Sequence, residues 1–241
     1  MAYRHSFPTI VFKVMRCIVS SPTLTDKVAK LICQDILSGE LKPNQKLVVA
    51  ELKEKYNVGA SPIREALIQL SWIKYVKLEP QKGCWVAPIS KLELYDLYES
   101  LKVVSSVLLE KSIQQGNEGW ELEILTEFHK LSRFKFQGDN FNWVEWEERQ
   151  EAFYSSLLSG CFSKNMLDFF NDIIRQVKRY RRVSLSHSPK PFAELFNLEE
   201  HEKMMKLTLD KDLDGARQQL TQYLTDMMKD IESTVNEIEM K

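Results

Sequence analysis

The stretch Val58-Gly59-Ala60-Ser61-Pro62-Ile63-Arg64-Glu65-Ala66-Leu67 decides how the front of this chain folds. Its apolar letters Ile63, Ala66 and Leu67, continued by Leu70 and Ile73, recur at the three- and four-residue steps that share one face of an α-helix. Pro62 belongs in a first turn, where backbone N–H groups lack intrahelical partners, and either Ser61 or Gly59 can cap that turn. Asn57-Val58-Gly59 makes a tight connection to a short helix around Ala50 to Tyr56. Further upstream, Leu24, Val28, Leu31, Ile32 and Ile36 keep helical spacing up to a stop at Gly39, and Leu41-Lys42-Pro43-Asn44 is a turn. Downstream, Tyr75-Val76-Lys77-Leu78 and Cys84-Trp85-Val86 are β-prone runs joined by Glu79-Pro80-Gln81-Lys82-Gly83. Three helices followed by a two-stranded ribbon spell a winged helix-turn-helix.

In such a unit the third helix enters the major groove with its N-terminal end toward the base edges. Arg64 stands near that end and can fork onto guanine or onto phosphate. Ser61, with the free N–H groups of the first turn, suits a phosphate oxygen. At the ribbon tip, Lys82 supplies a cation beside Gly83, where backbone can approach closely. The charge distribution agrees. Residues 1–90 hold 13 Lys and Arg against 7 Asp and Glu, whereas residues 91–241 hold 20 against 27. A basic front and an acidic rear suit a chain whose front meets phosphate, although the overall net charge is only −1.

Beyond Pro88-Ile89-Ser90, read as a short linker, the remainder is helical. Spacing predicts helices over residues 92–115, 120–136, 142–159, 165–182, 198–209 and 212–238, with a loop in the Pro-containing stretch from Ser186 to Pro191. The cationic run Lys178-Arg179-Tyr180-Arg181-Arg182 then falls at a helix C-terminus and reads as a solvated end that complements the dipole. The fold class is mostly α: an N-terminal winged helix-turn-helix, residues 24–88, followed by an antiparallel all-helical bundle, residues 89–241. Residues 1–23 form an N-terminal extension outside this pattern.

Composition removes other classes. Eight glycines in 241 residues disfavour glycine-rich phosphate loops and turn-dense β-sandwiches. No stretch approaches the roughly 18 uninterrupted apolar residues of a membrane span. Lys13 and Arg16 interrupt the apolar run from Ile10 to Val19, so it does not read as a secretory signal. Cys17, Cys33, Cys84 and Cys161 are scattered without a paired spacing, as expected of free thiols in a reducing, cytoplasmic setting. No nucleophile elbow, phosphate loop, zinc-protease helix or dinucleotide motif is present, so no enzyme and no catalytic residues are expected.

The run from Leu24 to Val86 resembles the winged-helix domain of GntR-type transcription regulators. Val58 to Leu67 is similar to the family's V-S-R-T-P-V-R-E-A-L, and Gly39-Glu40-Leu41-Lys42-Pro43 and Lys82-Gly83 match its other landmarks. Gly59, Ala60 and Ala50 stand where the family carries a serine, an arginine and, in some relatives, a basic residue. The resemblance therefore leaves operator contact to Ser61, Arg64, Lys82 and Gly83. The rear half is similar to the FCD effector domain of the FadR subfamily, through Phe153, Asn165, Glu200-His201 and the run from Asp212 to Ala216.

Many such domains hold a metal through D-x-x-x-H on one helix and two later histidines. The matching positions here are Gln150, Tyr154, His201 and Tyr223, of which only His201 is a competent ligand, so no metal is expected. The family's R-x-x-x-E pair on the first bundle helix corresponds to Leu101 and Ser105. Leu101, Ser105, Gln150, Tyr154, His201 and Tyr223 either line an amphipathic pocket for an organic effector or fill the core with the tyrosine hydroxyls satisfied locally. Glu147 stands close enough in sequence to reach the same place. The implied protein is a homodimeric, ligand-responsive repressor of a palindromic DNA operator; the alternative is a helical sensor that has lost specific operator binding.

Overall fold

The computed structural model describes residues 22–134, 142–187 and 197–239. The extension expected over residues 1–23 lies almost entirely outside them. Thr23, its last residue, caps the first helix, α1 (Leu24–Ser38): the Asp26 N–H donates to the Thr23 hydroxyl at 3.1 Å, and the Thr23 N–H donates back to the Asp26 carboxylate at 3.0 Å. These bonds hold the Asp26 carboxyl below the usual range. Gly39 closes α1 with φ 81°, a left-handed conformation that a side chain would strain.

Helices α2 (Val49–Tyr56) and α3 (Ala60–Trp72) follow, then strands β1 (Val76–Glu79) and β2 (Gly83–Val86). Val28, Ile32, Ile36, Leu52, Ile63, Leu67, Leu70 and Val86 make one small core. The hairpin pairs Val76 with Val86 and Glu79 with Gly83. On its other edge β2 is met by the segment before α2: the Leu47 N–H donates to the Cys84 carbonyl and the Val86 N–H to the Gln45 carbonyl. The wing is thereby stitched to the body on both sides. At its tip Gly83 has φ 130°, a backbone state open chiefly to glycine.

The bundle comprises α4 (Lys91–Gln115), α5 (Glu118–Ser132), α6 (Trp143–Leu158), α7 (Lys164–His187), α8 (Leu198–Leu209) and α9 (Leu213–Glu239). Helix α4 lies against α6, α7 and α9, while α5 lies against α6 and α8. Ser90, Asn117, Asn142 and Asn197 accept a hydrogen bond from a first-turn N–H of α4, α5, α6 and α8 respectively, which sets those starts.

Two helix ends differ from the sequence expectation. Helix α5 stops at Ser132, where the Phe134 N–H turns back onto the Leu131 carbonyl at 3.0 Å, rather than running on toward Phe136, which lies outside the described residues. Helix α7 runs five residues past Arg182, so Ser186 and His187 are helical rather than in the expected loop. The reason is tertiary: Val183 is buried, and the buried Ser184 hydroxyl lies 3.1 Å from that of Thr234 on α9. The cationic run is thus not a solvated end. It sits inside a helix packed against α1, α4 and α9.

Candidate functional site

Two places collect polar chemistry. The first is the N-terminal end of α3 with the wing. Gly59 caps α3 with extended backbone and no side-chain bond, so the first-turn N–H groups are left for an external acceptor. Ser61 is exposed, but its hydroxyl donates to Glu65 at 3.1 Å, and Glu65 also accepts from Thr25 on α1 at 2.8 Å. Glu65 therefore ties α3 to α1 and holds Ser61 in one orientation. Arg64 is exposed and, among the described residues, has no carboxylate partner. Lys82 is exposed at the wing tip, 3.6 Å from Glu79, which also meets Lys77 at 2.9 Å. Surface pairs of this kind are screened and readily exchanged for phosphate.

Sequence reading missed Lys46. It bridges to Trp85 from one side of β2 while Lys77 faces Trp85 from the other, so the three share a face of the ribbon. The Lys46 ammonium lies 5.7 Å from the Trp85 ring centroid. Residues 41–47 carry turn letters, and their placement along β2 depends on the folded ribbon, so no local signal could have revealed it.

The second place is a cavity open to solvent between α4, α6, α7 and α9, about 670 Å³ with the open solvent at its mouth included. Leu101, Ser105, Gln150, Tyr154 and Tyr223 all line it. His201 does not. It lies behind Tyr154 and Tyr223, its Nε2 3.2 Å from the Gln150 amide nitrogen and its ring near-parallel to Phe153. Burial, with a smaller push from Arg181, lowers the His201 imidazole to about 4, so it is neutral near pH 7. Tyr154 and Tyr223 stack with ring centroids 4.5 Å apart and planes 13° apart. Burial raises both phenols, Tyr223 to about 12, so neither ionises under ordinary conditions. A neutral amide, two neutral phenols and one imidazole already beside that amide make a donor set that does not suit a divalent cation.

Helix α7 adds what the sequence did not reveal. Lys178 and Arg181 face the cavity. Glu147 is buried and meets Arg182 at 2.6 Å and Lys178 at 3.2 Å, while Glu151 meets Lys178 at 3.0 Å. Burial opposes the charge on Lys178, but the two carboxylates outweigh it and raise its pKa. Glu151 is raised in turn, mainly by burial. Arg181 meets no carboxylate among the described residues; its guanidinium lies 4.8 Å from the Trp146 ring centroid. Among the described residues, one oxygen each of Glu147 and Gln150 has no hydrogen-bond partner. The available signal was Ile174, Lys178 and Arg181 at steps of four and three, which puts them on one face.

Comparison with known proteins agrees with both halves. Residues 24–86 match the family described as bacterial regulatory proteins, gntR family, and residues 96–226, more than half of the chain, match the FCD domain. The chain is 29% identical over 192 residues to the HTH-type transcriptional repressor GlaR of Escherichia coli K12, covering 79% of this chain and 87% of that protein. It is 20% identical over 210 residues to the E. coli K12 transcriptional repressor RspR, covering 86% of this chain and 89% of that one. Among solved structures, E. coli McbR/YncC superposes with a TM-score of 0.66 at 16% identity, over 90% of this chain and 99% of that chain, a likeness of fold. A reading as a sensor without operator binding is not favoured by this company. The chain belongs to the GntR family of bacterial regulatory proteins, in the branch that carries an FCD domain, and is a DNA-binding transcription regulator.

Proposed function

We propose that this protein is a ligand-responsive repressor that binds a pseudo-palindromic operator as a homodimer. Residues 24–88 read DNA and residues 89–241 sense an effector and pair the protomers. The observation that carries the DNA half is Arg64, exposed and without a carboxylate partner beside the uncapped N-terminus of α3, with Lys82 and Gly83 at the wing. One recognition helix reads only a few base pairs, so useful specificity calls for two related by symmetry. The sign of regulation follows two relatives, GlaR and RspR, both named as repressors.

For the effector, Leu101, Ser105, Gln150, Tyr154 and Tyr223 form the wall of the cavity and His201 orients Gln150 from behind. The occupant is an organic molecule with an apolar body, bound without metal. Arg181 suits an acidic group on it, and the unpartnered oxygens of Glu147 and Gln150 suit hydrogen-bond donors. No catalytic step is involved. Among the described residues no helix is long and apolar enough to cross a membrane, and we place the protein in the cytoplasm.

Footprinting on a duplex from the protein's own upstream region tests this reading. Two protected half-sites about one helical turn apart are expected. Protection no stronger than on unrelated DNA of equal length would overturn it.

A further inference from the structure

Helix α7 presents two faces to two different parts of the molecule. Ile174, Lys178 and Arg181 line the cavity. Arg175 and Arg179, four residues apart and so one above the other on the helix, meet the DNA-binding half instead. The Tyr75 hydroxyl donates to the Arg175 carbonyl at 2.8 Å. Tyr75 is buried directly after α3: its own N–H donates to the Leu70 carbonyl at the end of that helix, and its carbonyl accepts from the Ala87 N–H. A bond from α7 thus reaches the recognition helix through one residue.

Arg179 does the rest. Its side chain is 2% exposed, yet it belongs to the part of the helix expected to lie in solvent. One terminal guanidinium nitrogen donates to the carbonyls of both Ala87 and Pro88, and the second terminal nitrogen meets Glu93 on α4 at 3.1 Å. Tyr180 adds to the same knot: its hydroxyl accepts from the Ser90 N–H at 3.1 Å and bonds the Glu93 carboxylate. Linker carbonyls that no helix or strand satisfies need donors, and a buried cation needs a carboxylate. Arg179 answers both needs at the junction, with Glu93 as its counter-charge.

We propose that Arg179 is a positioning residue for DNA binding: a latch that fixes the linker to α7 and so sets how the recognition helix stands relative to the bundle. This assignment rests on the regulator reading, since what the latch orients is the operator-binding unit. Helices packed in a core transmit a small rotation rather than absorb it. The latch therefore makes α7, whose other face meets the cavity, the mechanical route between the two halves.

The test uses the full-length protein with Arg179→Lys, which keeps the charge but cannot fork onto two carbonyls and a carboxylate. Glu93→Gln, which removes the counter-charge of Arg179, and Tyr75→Phe, which removes the bond to the Arg175 carbonyl, are milder second variants. Hydrogen–deuterium exchange should rise at least tenfold at the amides of Ala87, Ser90 and Lys91, with α5 and α8 unchanged. Affinity for the operator duplex should fall at least fivefold, while affinity for random duplex stays within twofold. Linker exchange at the wild-type rate in all three variants would overturn the latch. So would equal acceleration throughout the bundle, which marks a merely structural residue, or faster linker exchange with operator affinity intact. If wild-type protein shows no preference for its operator, the regulator reading fails, and the exchange pattern alone decides whether Arg179 is a latch.

Discussion

Tyr154 and Tyr223 stack face to face, 4.5 Å between centroids, at the two positions that the family resemblance matches to metal-binding histidines. The stack fills that space with two aromatic rings and leaves His201 behind it, bonded to Gln150 rather than turned toward the cavity.

From this follows insensitivity to metal. Chelator treatment should leave the melting temperature and DNA affinity unchanged, and added zinc or nickel should not raise the melting temperature. Near-stoichiometric metal in purified protein, lost on His201→Ala, would contradict the prediction.

His201 makes stability depend on pH in a defined window. Its folded pKa of about 4 lies below the ordinary 6.5, so below pH 6.5 the unfolded chain takes up a proton that the folded one refuses. The stability that neutral His201 contributes is complete above pH 6.5 and is lost as pH falls toward 4. The full difference is on the order of 3 kcal/mol. Urea unfolding at pH 7 and pH 5 should therefore show a smaller acid loss for His201→Gln than for wild type. Because Arg181 adds to the depression, Arg181→Met should move the imidazole titration upward while keeping it below 6.5, as followed by NMR.

The buried ion cluster predicts a stability effect. Glu147→Gln removes the carboxylate shared by Lys178 and Arg182 and should cost roughly 3 kcal/mol, because it strands the largely buried Arg182 and leaves Lys178 with Glu151 alone. Chemical unfolding checks this; a loss below about 0.5 kcal/mol would show that water already screens the cluster.

Much of this architecture is written locally. Ile63, Ala66, Leu67 and Leu70 turn one face of α3 into the winged-helix core, and Gly39 and Gly83 mark backbone states other residues avoid. Five of the six residues that the family resemblance singled out line the cavity, where four-residue steps stack Leu101 on Ser105 and Gln150 on Tyr154 along one helix face each. The sixth, His201, packs on the far side of the tyrosine pair, a matter of one ring thickness that spacing cannot resolve. The missed residues share another cause. A run of four cations resembles a helix end, and only the packing of Val183 and Ser184 against the bundle carries α7 onward and draws Arg179 inside. Lys46 joined the wing for a similar reason, through a ribbon pairing between segments far apart in sequence.

Assembly is open to direct measurement. Sedimentation at micromolar concentration should give twice the chain mass of 28.2 kDa, with and without DNA. A monomer in both conditions would contradict the symmetric operator.

The central claim is that Arg64 and the wing read DNA, and fluorescence anisotropy on the operator duplex, on single-base variants of it and across a salt series tests it most directly. Arg64→Ala should cost about 1–3 kcal/mol on the operator and relax preference at one position per half-site. Lys82→Ala should weaken binding to all duplexes alike and flatten the salt dependence by about one released counterion per wing. Operator binding by Arg64→Ala with wild-type affinity and wild-type base preference would contradict the account.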